Sequence, residues 1–203
     1  MAEVSIVDYG IGNTGSICNM FRKLRIDAEV VSSPVSLSRA KRLILPGIGA
    51  FDACMHALDS SGLRDSILEF ASTQRPLLGI CVGMQMLTLD SEEGNMPGLG
   101  LIHAHTRRFP DGAGLRIPHM GWNTIKWAAT DHPLAKEFAN DSRFYFVHSF
   151  RVICESAENS LAVCTYGGEF SAAIVRGNIA GVQFHPEKSH RFGLRLLGNF
   201  ASS

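Results

Sequence analysis

Short apolar runs bounded by glycine and proline alternate with amphipathic stretches through the first half of the chain. A strand is expected over residues 4–9, then a glycine-rich turn, Gly10-Ile11-Gly12-Asn13-Thr14-Gly15, and a helix over 16–24. Further strands are expected over 29–32, 42–45 and 76–81, with helical spacing over 51–58 and 63–72. Strands separated by helices imply a parallel sheet covered on its faces by helices. The second half differs. Residues 99–108, 115–127, 143–153, 161–166, 171–176 and 179–184 read as successive strands, with turn signals at Gly167-Gly168 and Gly177-Asn178. A helix over 191–200 closes the chain. The expected fold class is α/β: an open, mostly parallel sheet flanked by helices, with an antiparallel extension in the second half. A single domain over 1–203 is expected.

Composition narrows the setting. The chain has 203 residues, 45% hydrophobic and 19% charged, which suits one sizeable core. Its formal net charge of zero gives no electrostatic reason to expect nucleic acid or an anionic membrane as partner. Cys18, Cys54, Cys81, Cys154 and Cys164 are odd in number and lack C-x-x-C spacing, so neither a disulfide framework nor a metal site is expected. No apolar run approaches the roughly 20 residues that span a bilayer, and Met1-Ala2-Glu3-Val4 lacks the basic start of a signal peptide. A soluble, cytoplasmic protein with no cofactor is expected.

Within that setting one stretch carries chemistry. Gly79-Ile80-Cys81-Val82-Gly83 lies between an apolar run and a set of helix formers, the pattern of a nucleophile elbow. A cysteine there sits at a helix start, where the dipole favours thiolate; the alternative is a buried structural thiol. A nucleophilic cysteine needs a base, and the base needs an orienting group. Gln183-Phe184-His185-Pro186-Glu187 offers both, because residues two apart in extended chain share a side. His119 and His148 also follow strand-like runs and are rival bases, although neither has a carboxylate two residues on. Oxyanion donors are expected at the amide after Cys81 and in the turn Pro46-Gly47-Ile48-Gly49. The glycines at 10, 12 and 15 match a dinucleotide fingerprint, but Glu29 falls within its strand, so no nucleotide site is expected.

Taken with His185-Pro186-Glu187, the stretch Gly79-Ile80-Cys81-Val82-Gly83-Met84-Gln85 resembles the class I (triad) glutamine amidotransferases. Asp8-Tyr9-Gly10-Ile11-Gly12-Asn13, Pro46-Gly47-Ile48-Gly49-Ala50-Phe51, Pro118-His119-Met120-Gly121-Trp122-Asn123 and Tyr145-Phe146-Val147-His148-Ser149 are similar to the glutaminase subunits of imidazole glycerol phosphate synthases. The resemblance implies Cys81 as nucleophile, His185 as base and Glu187 as its orienter. It also implies oxyanion donors at Val82 and at Ile48 or Gly49, and glutamine contacts at Gln85, Glu93, Ser149 and Phe150. Asn13, Trp122 and Lys188 match partner-interface positions. The implied partner is a (β/α)8-barrel cyclase that receives the ammonia and makes imidazole glycerol phosphate and AICAR in histidine biosynthesis. Two positions depart from the family pattern: Thr88-Leu89 replaces an aromatic-acid pair, and Phe150 stands where relatives often carry Tyr. The alternatives are a paralogue supplying ammonia for amidination of a bacterial surface sugar, and a non-catalytic regulatory module.

Overall fold

The computed structural model describes residues 2–110, 112, 114–138 and 142–203. Residues 1, 111, 113 and 139–141, which the expected single domain also spans, lie outside the described residues. The first half runs β1 (Val4–Val7), α1 (Thr14–Leu24), β2 (Ala28–Val31), α2 (Pro34–Ser38), β3 (Leu43–Gly47), α3 (Phe51–Ser61), α4 (Arg64–Ser72), β4 (Leu77–Cys81) and α5 (Val82–Met86). The second half adds β5 (Asp90–Ser91), β6 (Ala104–Arg108), β7 (His119–Trp127), β8 (Arg143–His148), β9 (Phe150–Cys154), β10 (Ser160–Thr165), β11 (Glu169–Arg176), β12 (Ile179–Val182) and α6 (His190–Ser202).

The sheet is ordered β2-β1-β3-β4-β12-β11-β10-β7-β8, with β9, β6 and β5 branching from β11. Pairing is parallel from β2 to β12 and antiparallel from β12 to β8. The expected parallel half with an antiparallel extension is thus what the chain forms. Helix α1 packs with α6, while α2 and α3 pack with α4 and α3 with α5. Each helix follows local rules. Asn13 accepts from the Ser16 amide to cap α1, Ile17, Met20 and Phe21 supply its buried stripe, and Arg25 ends it in the left-handed region. Among the described residues no helix is long and apolar enough to cross a membrane.

Several elements depart from the sequence expectation, among them the short β5, which was not expected, and the expected strand 115–127, which begins only at His119. Helix α2 was not expected, because only Leu37 of its five residues is buried and its signal is local: a Ser33–Ser36 capping box with Pro34 at the first helical position. Residues 99–103 are not strand. Their amides bond instead to the end of α5, from Leu99 to the Met86 carbonyl and from Leu101 and Ile102 to Leu87. The expected strand 143–153 is two strands broken at Ser149, since β8 pairs with β7 whereas β9 pairs with β6 and β11. Phe144, Phe146, Phe150 and Val152 keep one alternating phase along the sequence, so the break leaves no mark in the pattern, although residues 149–151 are all only partly buried.

Candidate active site

Strands β4 and β12 are parallel neighbours, with Ile80 opposite Val182, so both chains leave the sheet at the same edge. That places Cys81 and the segment after β12 side by side, beyond the carboxyl ends of the strands where open α/β sheets bind ligands. Cys81 turns the chain with φ 55° and ψ −113°, a strained conformation for a residue with a side chain. The turn is tight. A Cβ on Gly83 would lie 1.9 Å from the Leu45 carbonyl oxygen, and one on Gly79 would lie 2.6 Å from that of Gly83. Strand, elbow and helix approach so closely that only hydrogen fits at those positions.

His185 Nδ1 lies 2.8 Å from Glu187 Oε1, and the Cys81 thiol is near enough to the same imidazole to hold its pKa up. All three side chains are buried. Glu187 reaches back along a 3-10 turn, residues Pro186–Lys188, rather than along the extended chain expected, because Pro186 starts that turn and fixes its φ. The rival bases are decided by their bonding: both nitrogens of His148 are taken, one by the Phe150 carbonyl and one by His119. His185 alone of the three holds a carboxylate on one nitrogen and has the thiol as a neighbour.

Cys81 and His185 open onto a cavity of about 390 Å³ whose lining includes Ile48, Gly49, Val82, Gln85, Glu93, Ser149, Phe150 and Lys188, with Glu187 behind the imidazole. All the sequence candidates for oxyanion and substrate contacts therefore meet in one place. The turn 46–49 is held from below. The Tyr9 hydroxyl donates to the Pro46 carbonyl at 2.7 Å and the Cys54 thiol to the Ile48 carbonyl at 3.3 Å. Glu93 accepts the first free amide of α3, from Phe51 at 2.8 Å, and burial pushes its carboxyl up. Of the interface candidates, Lys188 lines the cavity and Trp122 stacks on His190 at 5.5 Å, while Asn13 caps α1 and is absent from the cavity lining.

Gln183 is a further site residue, to which the sequence pattern assigns no role. It is fully buried, accepts from Gln85 at 3.1 Å, and its amide nitrogen lies 4.0 Å from Cys81 Sγ. Its signal was its place two residues before His185, on the same side of the chain. Among the described residues, no group of three His, Cys, Asp or Glu side chains is placed to hold a metal ion.

Burial alone would depress His185, yet hydrogen bonds and electrostatic attraction from Cys81 and Glu187 hold it up, at about 10. A folded value above the ordinary 6.5 means that protonation favours the folded state. This contribution is complete below the unfolded value and is lost as pH rises through the folded one. Burial lowers His119 to about 4 and His148 to about 3, which reverses the sign: their contributions are complete above 6.5 and are lost as pH falls. Urea unfolding followed from acid to alkaline pH is expected to weaken on both sides of neutrality, with a shallower alkaline limb in Glu187→Gln. An alkaline limb of unchanged slope in that variant would contradict the role of Glu187 in holding the proton.

A thiol at a strained elbow, a carboxylate-bound imidazole and the cavity before them together have the layout of an acyl-transfer site on an open α/β sheet. The Glutamine amidotransferase class-I family model matches residues 5–202. The chain is 48% identical over 198 residues to Imidazole glycerol phosphate synthase subunit HisH 2 of Methanococcus maripaludis, covering 97% of this chain and 98% of that one. It is 46% identical over 202 residues to the HisH subunit of Bdellovibrio bacteriovorus, covering 98% of both. Among solved structures, PurLQS from Thermotoga maritima superposes with a TM-score of 0.76 at 19% identity over 98% of this chain and 97% of that one, a likeness of fold. The chain belongs to the class-I glutamine amidotransferase family and, within it, to the HisH subunits of imidazole glycerol phosphate synthase.

Proposed function

We propose that this chain is the glutaminase subunit of an imidazole glycerol phosphate synthase in histidine biosynthesis, with Cys81, His185 and Glu187 as its catalytic residues. The observation that carries the reading is the 2.8 Å His185–Glu187 pair beside Cys81, with Cys81 and His185 opening onto a cavity lined by Gln85, Glu93, Ser149 and Phe150. Cys81 Sγ attacks the side-chain carboxamide carbon of glutamine, and His185 carries the thiol proton to the departing ammonia. The Val82 amide and an amide of the Ile48–Gly49 turn hold the developing oxyanion. Water then attacks the glutamyl thioester, releasing glutamate and restoring the thiol. Glu187 keeps the imidazole oriented throughout.

Ammonia released into neutral water is protonated and no longer a nucleophile, so the product must pass directly to the enzyme that consumes it. That partner is a cyclase subunit built as a (β/α)8 barrel, and the complex works in the cytoplasm. Met120, Trp122 and Ile48 are exposed apolar side chains, at 62%, 45% and 44%. Two of them alternate outward on β7, and Ile48 and Lys188 line the cavity. Trp122→Ala is expected to weaken the complex about 30-fold or more, the loss typical of a buried aromatic anchor. Calorimetric titration with the cyclase measures it, and unchanged affinity would remove β7 from the interface.

The test of the function is glutamate release from glutamine by the purified chain, alone and with the cyclase and its nucleotide. Slow turnover alone, rising by about 100- to 1000-fold in the complex, is the result expected if the partner completes an oxyanion donor. Full turnover by the isolated chain would contradict a partner-gated subunit.

A further inference from the structure

His119 and His148 face each other directly across β7 and β8. Both rings are buried among aromatics: His119 stacks on Tyr166 at 4.0 Å and on Phe146 at 4.8 Å, and His148 lies against Phe109 and Phe170. Their nitrogens form a chain. Asn123 Nδ2 lies 3.2 Å from His119 Nε2, His119 Nδ1 lies 2.9 Å from His148 Nε2, and His148 Nδ1 lies 2.7 Å from the Phe150 carbonyl.

The direction of this chain is fixed independently at both ends. A carbonyl only accepts, so His148 Nδ1 carries a proton and donates to Phe150. At the other end, Asn123 Oδ1 accepts from the Thr124 amide and its nitrogen also donates to the Thr165 carbonyl, so nitrogen faces His119. Every link is then satisfied by two neutral rings, each protonated on Nδ1, in line with the depression of both values by burial. The last acceptor is shared. Phe150 O also accepts from Gln85 Nε2 at 3.3 Å, and Gln85 donates to Gln183, which reaches the sulfur of Cys81.

We propose that Asn123, His119 and His148 are positioning residues: a neutral, one-directional hydrogen-bond relay that fixes the Ser149–Phe150 backbone and Gln85 to receive the glutamine head group. The inference rests on the glutaminase reading and extends it. The relay starts on β7, beside the exposed Met120 and Trp122, and ends in the cavity. It crosses the Ser149 break between β8 and β9, where the Ser149 carbonyl accepts from the Phe109 amide at 3.2 Å.

The test uses the assembled synthase with saturating cyclase and its nucleotide ligand. His119→Phe keeps the ring stacking and removes both hydrogen bonds, whereas His119→Gln can accept and donate in the same sense. Asn123→Asp keeps the shape and reverses the polarity at the first link. His119→Phe and Asn123→Asp are expected to raise KM for glutamine about 10-fold, the worth of one buried hydrogen bond, with kcat changed by less than about threefold. His119→Gln is expected to bring KM back to within about threefold of wild type. Nitrogen-15 NMR of labelled histidine at neutral pH is expected to find His148 neutral and protonated on Nδ1. An unchanged KM in folded His119→Phe and Asn123→Asp, a His119→Gln no better than His119→Phe, or His148 protonated on Nε2 would each overturn the relay alone. Absence of glutamine turnover by the wild-type synthase would overturn the glutaminase function and the relay with it.

Discussion

Replacing Cys81 by alanine is expected to reduce glutamine-dependent turnover on the order of a million-fold, to below detection, as nucleophile deletion does in triad hydrolases. The effect is large because no neighbour can substitute: Gln183 and His185 approach the sulfur, but neither is a nucleophile placed at the elbow. Ammonia supplied from solution should still drive the cyclase in a complex containing Cys81→Ala, which separates lost chemistry from lost assembly. Stability adds a second readout. At φ 55° a side chain at 81 costs roughly 1–3 kcal/mol, a strain that glycine avoids. Cys81→Gly is therefore expected to unfold at higher urea than Cys81→Ala while being equally inactive. Residual glutamine turnover in either variant would contradict the nucleophile assignment.

Gly83→Ala carries the largest expected loss of stability among substitutions of the elbow glycines. The new Cβ would meet the Leu45 carbonyl oxygen at 1.9 Å, and this obstacle is backbone of a central strand, not a side chain that can swing away. Either β3 or α5 must move, at a cost of about 3 kcal/mol or more. For a chain of this size that lowers Tm by roughly 10 °C. Glutamine turnover should fall with it, since α5 carries the Val82 amide and Gln85. Gly15→Ala is the contrast: it lies within α1, with an ordinary φ and nothing within 4 Å of the added Cβ. It is expected to raise stability by up to about 1 kcal/mol. Equal thermal unfolding of the two variants would contradict the crowding at the elbow.

Where local chemistry suffices, the sequence determined the outcome. The apolar runs of β1, β3 and β4 and the amphipathic stripes of α1, α3 and α6 follow from period and capping, because burial of one face is a property of neighbouring residues. The elbow was legible for the same reason, as a strained turn needs glycines at fixed offsets around Cys81. The pair His185–Glu187 was legible because its members are two residues apart, although the 3-10 turn that joins them was not.

Long-range adjacency was decided only by the tertiary structure. Nothing in the residues alone shows that β12 inserts beside β4, yet that parallel pairing is what brings Cys81 to His185. The same holds for the break at Ser149, where two strands with one continuous alternation choose different partners. It holds too for His119 and His148, which read in sequence as rival bases. Register set them face to face, so that each became the other's hydrogen-bond partner and neither was left free for the thiol. A sequence encodes which groups are available and which local turns they favour. Which polar atoms are already satisfied, and so which remain free for chemistry, depends on contacts between residues far apart in the chain, and only the packed sheet fixes those.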